Sequence, residues 1–257
     1  MSIDMDESFF SLERKLVLIT GGGTGLGLAM AKAFVTQGAK VIITGRRKDV
    51  LKEACKTLGK NAYCEPFDVT EFDKVPKFLS DIESKYGALD VLINNAGIHI
   101  KKDLFDYTDE DFMSIIKTNQ EAVFVMSREA AKKMSKRKNG VILLISSMAS
   151  QYGIPKVIGY TAAKSAIEGM TRGMAVELSP LGIRINCIAP GFIRTDMSAT
   201  ALDNDPERKA RVFARTPMGD LGAPEDVANA AVFLCSHAAK YITGVVLPVD
   251  GGNSIGF

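Results

Sequence analysis

At 257 residues, with 46% hydrophobic and 24% charged residues, the chain has the make-up of one large globular domain with a full core. A formal charge of +2 gives no general reason to bind nucleic acid or an anionic membrane, and the longest apolar runs, such as 141-VILLI-145, are too short to span a bilayer. Two histidines (His99, His237) and four scattered cysteines (Cys55, Cys64, Cys187, Cys235) argue against a metal centre or a disulfide frame, so reduced thiols and no metal are expected. The acidic start MSIDMDESFF lacks the basic-then-apolar order of a signal peptide, which points to a cytoplasmic location.

Residues 1–14 read as a lead-in. The run 16-LVLIT-20 is a first strand, stopped by 21-GGG-23, and a helical pattern follows to about Gln37, with Gly38 suited to end it. A second strand fits 40-KVIIT-44, a helix 48–58, a third strand 62-AYCEPF-67 and a helix 71–86. A fourth strand fits 89-LDVLI-93, then a long helical region over 108–138, broken by a bend. The fifth strand is 141-VILLIS-146, followed by a helix around Tyr160 that ends near 179-SPLG-182. A sixth strand (183-IRINCI-188), a long turn-rich connection (190–223), a helix (224–236) and a last strand (245-VVLPV-249) close the chain.

Strands that are apolar throughout, alternating with helices, predict a parallel sheet covered on both faces. The fold class expected is α/β: a single-domain, Rossmann-type, doubly wound sheet of about seven strands over 15–257. The connection after residue 190 is unusually long, and a substrate lid is expected at 196–217.

The segment 20-TGGGTGLG-27 lies at the first strand–helix junction. Gly21, Gly25 and Gly27 allow positive φ and close backbone approach, while Gly23, Thr24 and Leu26 complete a turn that opens a helix. The free N–H groups of that helix suit a pyrophosphate. At the end of the second strand, where a carboxylate would bind the ribose 2′-hydroxyl of NAD, stand Gly45, Arg46 and Arg47. Two guanidiniums and no carboxylate favour NADP(H), with NAD(H) as the alternative. Further on, Tyr160 and Lys164 are four apart and share one helix face, with Ser147 just past the preceding strand. A tyrosine beside an ammonium suits acid/base work, and the ammonium together with the cationic nicotinamide is expected to lower the phenol from its free pKa of about 10.

Together these motifs resemble the short-chain dehydrogenase/reductase family over essentially the whole chain after residue 12. The match consists of 20-TGGGTGLG-27, 67-FDVT-70, 94-NNAG-97, Asn119, Ser147, the Tyr160/Lys164 pair and 190-PGFIRT-195. The resemblance implies an alcohol/ketone oxidoreductase with Asn119, Ser147, Tyr160 and Lys164 as its catalytic tetrad. It puts Asp68 and Val69 at the adenine, and Asn94, Asn95, Ala96 and Gly97 along the cofactor. Tyr160 and Lys164 also touch the cofactor, and Pro190, Gly191, Ile193 and Thr195 hold its carboxamide and phosphate. Asn119 is expected to hold a water that relays protons to Lys164. A homotetramer is implied as well, with 253-NSIGF-257 reaching a neighbouring pocket.

The basic pair after 94-NNAG-97 resembles the sugar-acid branch of the family, the gluconate 5-dehydrogenases and deoxyketogluconate dehydrogenases. On that reading His99, Lys101 and Lys102 face a carboxylate or hydroxyls, while Met148, Gln151, Tyr152 and Ile154 line the pocket of a small-molecule substrate. The alternative is a 3-oxoacyl-carrier-protein reductase, in which the basic run 132-KKMSKRK-138 docks an acyl carrier protein. A non-catalytic cofactor-binding regulator would show damage to the tetrad or the glycine turn, and both are intact.

Overall fold

The structure is a computed structural model that describes residues 9–195 and 206–256. Its strands are β1 (Leu16–Thr20), β2 (Lys40–Thr44), β3 (Ala62–Cys64), β4 (Val91–Asn94), β5 (Gly140–Ile145), β6 (Ile183–Pro190) and β7 (Val246–Val249). They form one sheet in the order β3-β2-β1-β4-β5-β6-β7, and every neighbouring pair is parallel. The α-helices are α1 (Gly25–Thr36), α2 (Lys48–Leu58), α3 (Val75–Tyr86), α4 (Asp109–Ile116), α5 (Ala122–Arg137), α6 (Ile158–Leu178), α7 (Pro206–Arg215) and α8 (Pro224–Cys235). No described helix is long and apolar enough to cross a membrane.

Strand β1 shows why its apolar run does not alternate with polar residues. Val17 and Ile19 pack with Met30 and Phe34 of α1 and Val227 of α8. Leu16 and Leu18 point the other way, into Leu79 of α3, Met126 of α5 and Ile167 of α6. Burying each such side chain contributes roughly 1.5–3 kcal/mol, so the two layers hold the sheet's carboxyl edge rigid. The strand order runs outward from β1 in one direction and from β4 in the other, which opens a crevice where the two carboxyl ends diverge.

Three elements differ from expectation. Strand β3 stops at Cys64 because Pro66 has no N–H, although Glu65 and Phe67 still donate to Ile43 and Gly45. The bend in the 108–138 region is a π turn, Lys117–Glu121, between α4 and α5. The 190–223 connection contains α7, hidden in sequence by its charge-rich run PERKARVFAR. Of the expected lid, residues 196–205 lie outside the described residues. The lead-in is anchored from Phe9 on: Leu12 is buried and its N–H donates to Gln37, while the Phe9 carbonyl accepts from Ala238.

Candidate active site

The glycine turn is built around missing side chains. Gly21 and Gly25 have φ of +65° and +53°. A Cβ on Gly27 would stand 2.2 Å from the Gly21 carbonyl oxygen, and one on Gly21 would stand 2.9 Å from Ala96 Cα. The turn opens α1 at Thr24, whose side chain makes no capping hydrogen bond, and the first turn of α1 carries no acidic residue. Its N–H groups are thus left to a ligand, and an anion is what they suit.

The 94-NNAG-97 motif braces this turn. Thr20 Oγ1 accepts from the N–H groups of Asn95 and Ala96, both at 3.0 Å. Asn95 Nδ2 donates to the carbonyls of Thr20 (3.0 Å) and Gly21 (3.2 Å). Asn95, Ala96 and Gly97 line the cleft with their neighbours Gly21, Gly23, Thr24, Leu26 and Gly27. Asn94, by contrast, is buried with Nδ2 donating to Ser127 Oγ, so it works inside the fold.

Arg46, Arg47, Asp68 and Val69 line the far end of the same cleft. Burial alone would raise the Asp68 carboxyl, but donors from Thr70 and the charges of Arg46 and Lys117 hold it below the usual carboxylate range. Its Oδ1 accepts from Thr70 N (2.9 Å) and Oγ1 (2.8 Å). Sequence reasoning missed Val50, Leu51 and Thr118, which also line this cleft. The helical spacing at Val50 and Leu51 was the available signal, since it turns both toward the sheet edge. A cradle that any Cβ would fill, an uncapped helix start and two arginines at its far end together fit a phosphorylated dinucleotide. When bound, a nicotinamide group supplies or takes up the hydride.

Thr195 reaches back over the turn, its Cγ2 4.0 Å from the Cβ position of Gly25. Ile193 is buried and bridges to Gly222. Pro190 ends β6, and Gly191 is required by packing, because a Cβ there would stand 2.6 Å from Asp250 Cα.

The catalytic group lies where β5 gives way to α6. Ser147 is extended, and its Oγ accepts from Ala149 N at 3.2 Å. Tyr160 and Lys164 stand in the first two turns of α6. Lys164 is buried, and Nζ donates to the Ile145 carbonyl at 2.6 Å and lies 5.5 Å from the Tyr160 ring centroid. Burial lowers its pKa to about 8, with Cys187 opposing. Burial likewise raises the Tyr160 phenol above its ordinary value, partly offset by a hydrogen bond with Ser147. The lowering is expected from Lys164 together with a cationic nicotinamide; in the chain by itself desolvation is the largest effect on the phenol.

Asn119 sits in the π turn, fully buried. Its Oδ1 accepts from Ile98 N and its Nδ2 donates to Ile98 O, both at 2.8 Å. Both side-chain groups clamp the segment that follows Gly97, and the amide oxygen and nitrogen each keep capacity for one further hydrogen bond.

Chemically, these residues provide a half-buried, protonated phenol beside a hydroxyl donor. Tyr160 can give a proton to a ketone oxygen or accept one from an alcohol, while Ser147 holds that oxygen. Lys164 keeps a cation near the phenol, which favours phenolate when the alcohol is the substrate.

The expected substrate residues divide. His99 is exposed and packs edge-on against Tyr160, ring centroids 5.1 Å apart at 70°. Lys101 and Gln151 are exposed, and Met148 is buried. Lys102 pairs with Asp111 at 2.6 Å, which takes it out of the pocket's charge. The Tyr152 hydroxyl bonds Asn253 Oδ1, an internal contact that sequence reasoning did not anticipate. Asn253 is fully buried within its own chain.

A family model described as enoyl-(acyl carrier protein) reductase matches residues 21–254. The chain is 39% identical to a 3alpha-hydroxysteroid dehydrogenase of Mediterraneibacter gnavus, covering 95% of this chain and 98% of that one. It is 37% identical to 5-keto-D-gluconate 5-reductase of Escherichia coli, with 95% and 96% covered. Identity to a 3-oxoacyl-[acyl-carrier-protein] reductase of Salmonella typhimurium is 36%, with 94% and 98% covered. Among solved structures, one assigned as a 2-deoxy-D-gluconate 3-dehydrogenase from Agrobacterium tumefaciens, with bound NADP, superposes with a TM-score of 0.88 at 36% identity, covering 96% of this chain and 99% of that one.

Proposed function

The chain belongs to the short-chain dehydrogenase/reductase family and is an NAD(P)-dependent alcohol/ketone oxidoreductase, and we propose that it acts on a sugar acid or polyol with NADP(H) as preferred coenzyme. The observation that carries the coenzyme preference is the cleft end at Gly45, where Arg46 and Arg47 line the wall and no carboxylate follows the strand. A 2′-phosphate would meet charge of the right sign there, and the Agrobacterium neighbour holds NADP.

For the substrate, support comes from the pocket rim. His99 against Tyr160, with exposed Lys101 and Gln151, offers polar and cationic groups that suit hydroxyls and a carboxylate better than fused apolar rings. The keto-gluconate reductase relative agrees with this choice. The carrier-protein reading is weakened by the basic run on α5. Lys132 pairs with Glu129, and Lys133 and Arg137 both pair with Glu83, so much of its charge is already spent. The reading also includes a homotetramer, supported by Phe105, Met113, Phe124 and Ile158, which leave large apolar surface exposed on and beside α4–α6.

The test is a rate comparison with NADPH and NADH on 5-ketogluconate, an acetoacetyl thioester and a 3-ketosteroid. The expected result is turnover of the keto acid with NADPH preferred. Turnover confined to the thioester or the steroid removes the sugar-acid reading.

A further inference from the structure

Beyond Ser147, the chain builds a second polar cluster that the hydride chemistry does not use. Arg215, the last residue of α7, lays its guanidinium over the Tyr152 ring, 4.1 Å from the centroid. Its Nε donates to the Asn253 carbonyl at 2.9 Å. Asn253 in turn donates from Nδ2 to Thr216 Oγ1 at 2.8 Å and accepts from the Tyr152 hydroxyl. The Tyr152 hydroxyl also contacts Met148 Sδ at 3.3 Å. Every side chain in the group is thus fixed by another.

The terminal nitrogens of Arg215 are different. They face the Tyr152 hydroxyl, whose hydrogen-bond interaction with Arg215 leaves further terminal N–H donors, and no ion pair holds Arg215 among the described residues. The nearby carboxylate that acts on Tyr152, Asp250, is occupied: its oxygens accept from Gly252 N (3.0 Å) and Ser254 N (2.7 Å), and it makes no ion pair with Arg215. A guanidinium fixed by an aromatic face, one Nε bond and the Tyr152 hydroxyl, with terminal N–H donors still to spend, is pre-organised for an anion.

Its place in the fold says which anion. Tyr152 belongs to the loop that follows Ser147 off β5, and Asn253 follows β7. The cluster therefore lies at the carboxyl edge on the β5–β7 half, while the dinucleotide cleft lies on the β1–β3 half. We propose that Arg215 is the specificity-determining residue that receives the carboxylate of the substrate, which makes the preferred substrate a keto or hydroxy acid rather than a neutral ketose or polyol. This rests on the sugar-acid reading above and narrows it.

The experiment measures NADPH-dependent reduction of 5-ketogluconate and of L-sorbose, the ketose with a hydroxymethyl group in place of the carboxylate. It uses the full-length enzyme and its Arg215→Gln and Arg215→Lys variants, with NADPH binding followed by fluorescence as a check on folding. For Arg215→Gln, kcat/KM on the acid falls about 10- to 100-fold, mostly through KM, as expected for a lost hydrogen-bonded charge. The value for sorbose changes far less, and Arg215→Lys gives an intermediate loss on the acid alone, because a point charge replaces the fork. Equal losses on acid and ketose in both variants would make Arg215 a strut for Tyr152 and overturn the inference, while a wild type that still reduces the acid leaves the sugar-acid reading standing. A wild type that reduces only the thioester or the steroid overturns both.

Discussion

On the β1–β3 side, the cleft is made by leaving atoms out; on the β5–β7 side, it is made by side chains that hold one another. Gly21, Gly25 and Gly27 open the first half, and Thr20 and Asn95 brace it through backbone groups. The second half depends on Ser147, Tyr160, Lys164, Tyr152, Arg215 and Asn253, which come from distant parts of the chain. The difference teaches why one family keeps a coenzyme while changing substrates. A site shaped by backbone tolerates no additions, but a site shaped by side chains can be rebuilt one contact at a time.

Three changes would break or sharpen that contrast. The largest effect belongs to Tyr160→Phe, which removes the proton carrier from the side-chain half and leaves the backbone half alone. We expect kcat to fall about 10²- to 10⁴-fold with coenzyme affinity kept. Steady-state rates and a fluorescence titration check both, and undiminished turnover would take Tyr160 out of the mechanism. Gly27→Ala should do the reverse. Its Cβ meets backbone at 2.2 Å, with no flexible side chain to yield, so we expect stability to fall about 1–3 kcal/mol and coenzyme to bind roughly 5- to 150-fold more weakly. Urea unfolding and the same titration measure it, and wild-type affinity in this variant would end the account of the turn as a cradle without room.

The third prediction concerns pH. Lys164 has a pKa of about 8 in the folded chain against 10.5 as the ordinary value. Between those values the unfolded chain binds more protons than the folded one, so stability rises with pH; below pH 8 the full cost of burying the charge is present. The stability of the wild type relative to Lys164→Met should therefore climb by roughly 3 kcal/mol from pH 8 to 10.5. Urea unfolding at both ends of the window decides it, and a flat difference would mean that Lys164 is better solvated than its burial implies.

The backbone half was largely legible in the sequence. Its signal is local: a strand, three spaced glycines and a helix start within a dozen residues, and the parallel, doubly wound sheet followed from alternation. The catalytic pair was legible for the same reason, since Tyr160 and Lys164 are one turn apart. What the residues do was harder to read. Asn119 was read as a water holder, and its amide also clamps Ile98, a partner 21 residues away that local spacing does not reveal. The phenol was expected to be acidified by Lys164 and a nicotinamide cation together; the opposing desolvation in the chain by itself, which depends on everything packed around the ring, was not legible. Tyr152 was expected to face substrate, and the contact of its hydroxyl with Asn253, 101 residues on, was not legible. Helix α7 was missed because its packing rests on few apolar positions, with Val212 buried in a run dominated by charge.

The π turn at Lys117–Glu121 has a consequence for length rather than for chemistry. A π turn carries one residue more than an α-helix needs to cover the same rise. Deleting a single residue there would let α4 and α5 run on as one regular helix, which is locally more comfortable. Because the turn itself absorbs the surplus residue, its removal would leave α4 and α5 near their places and shift the side chains of the turn, taking Asn119 off Ile98. The surplus residue thus acts as a counter: this stretch can accept exchanges of side chain more readily than a change in number.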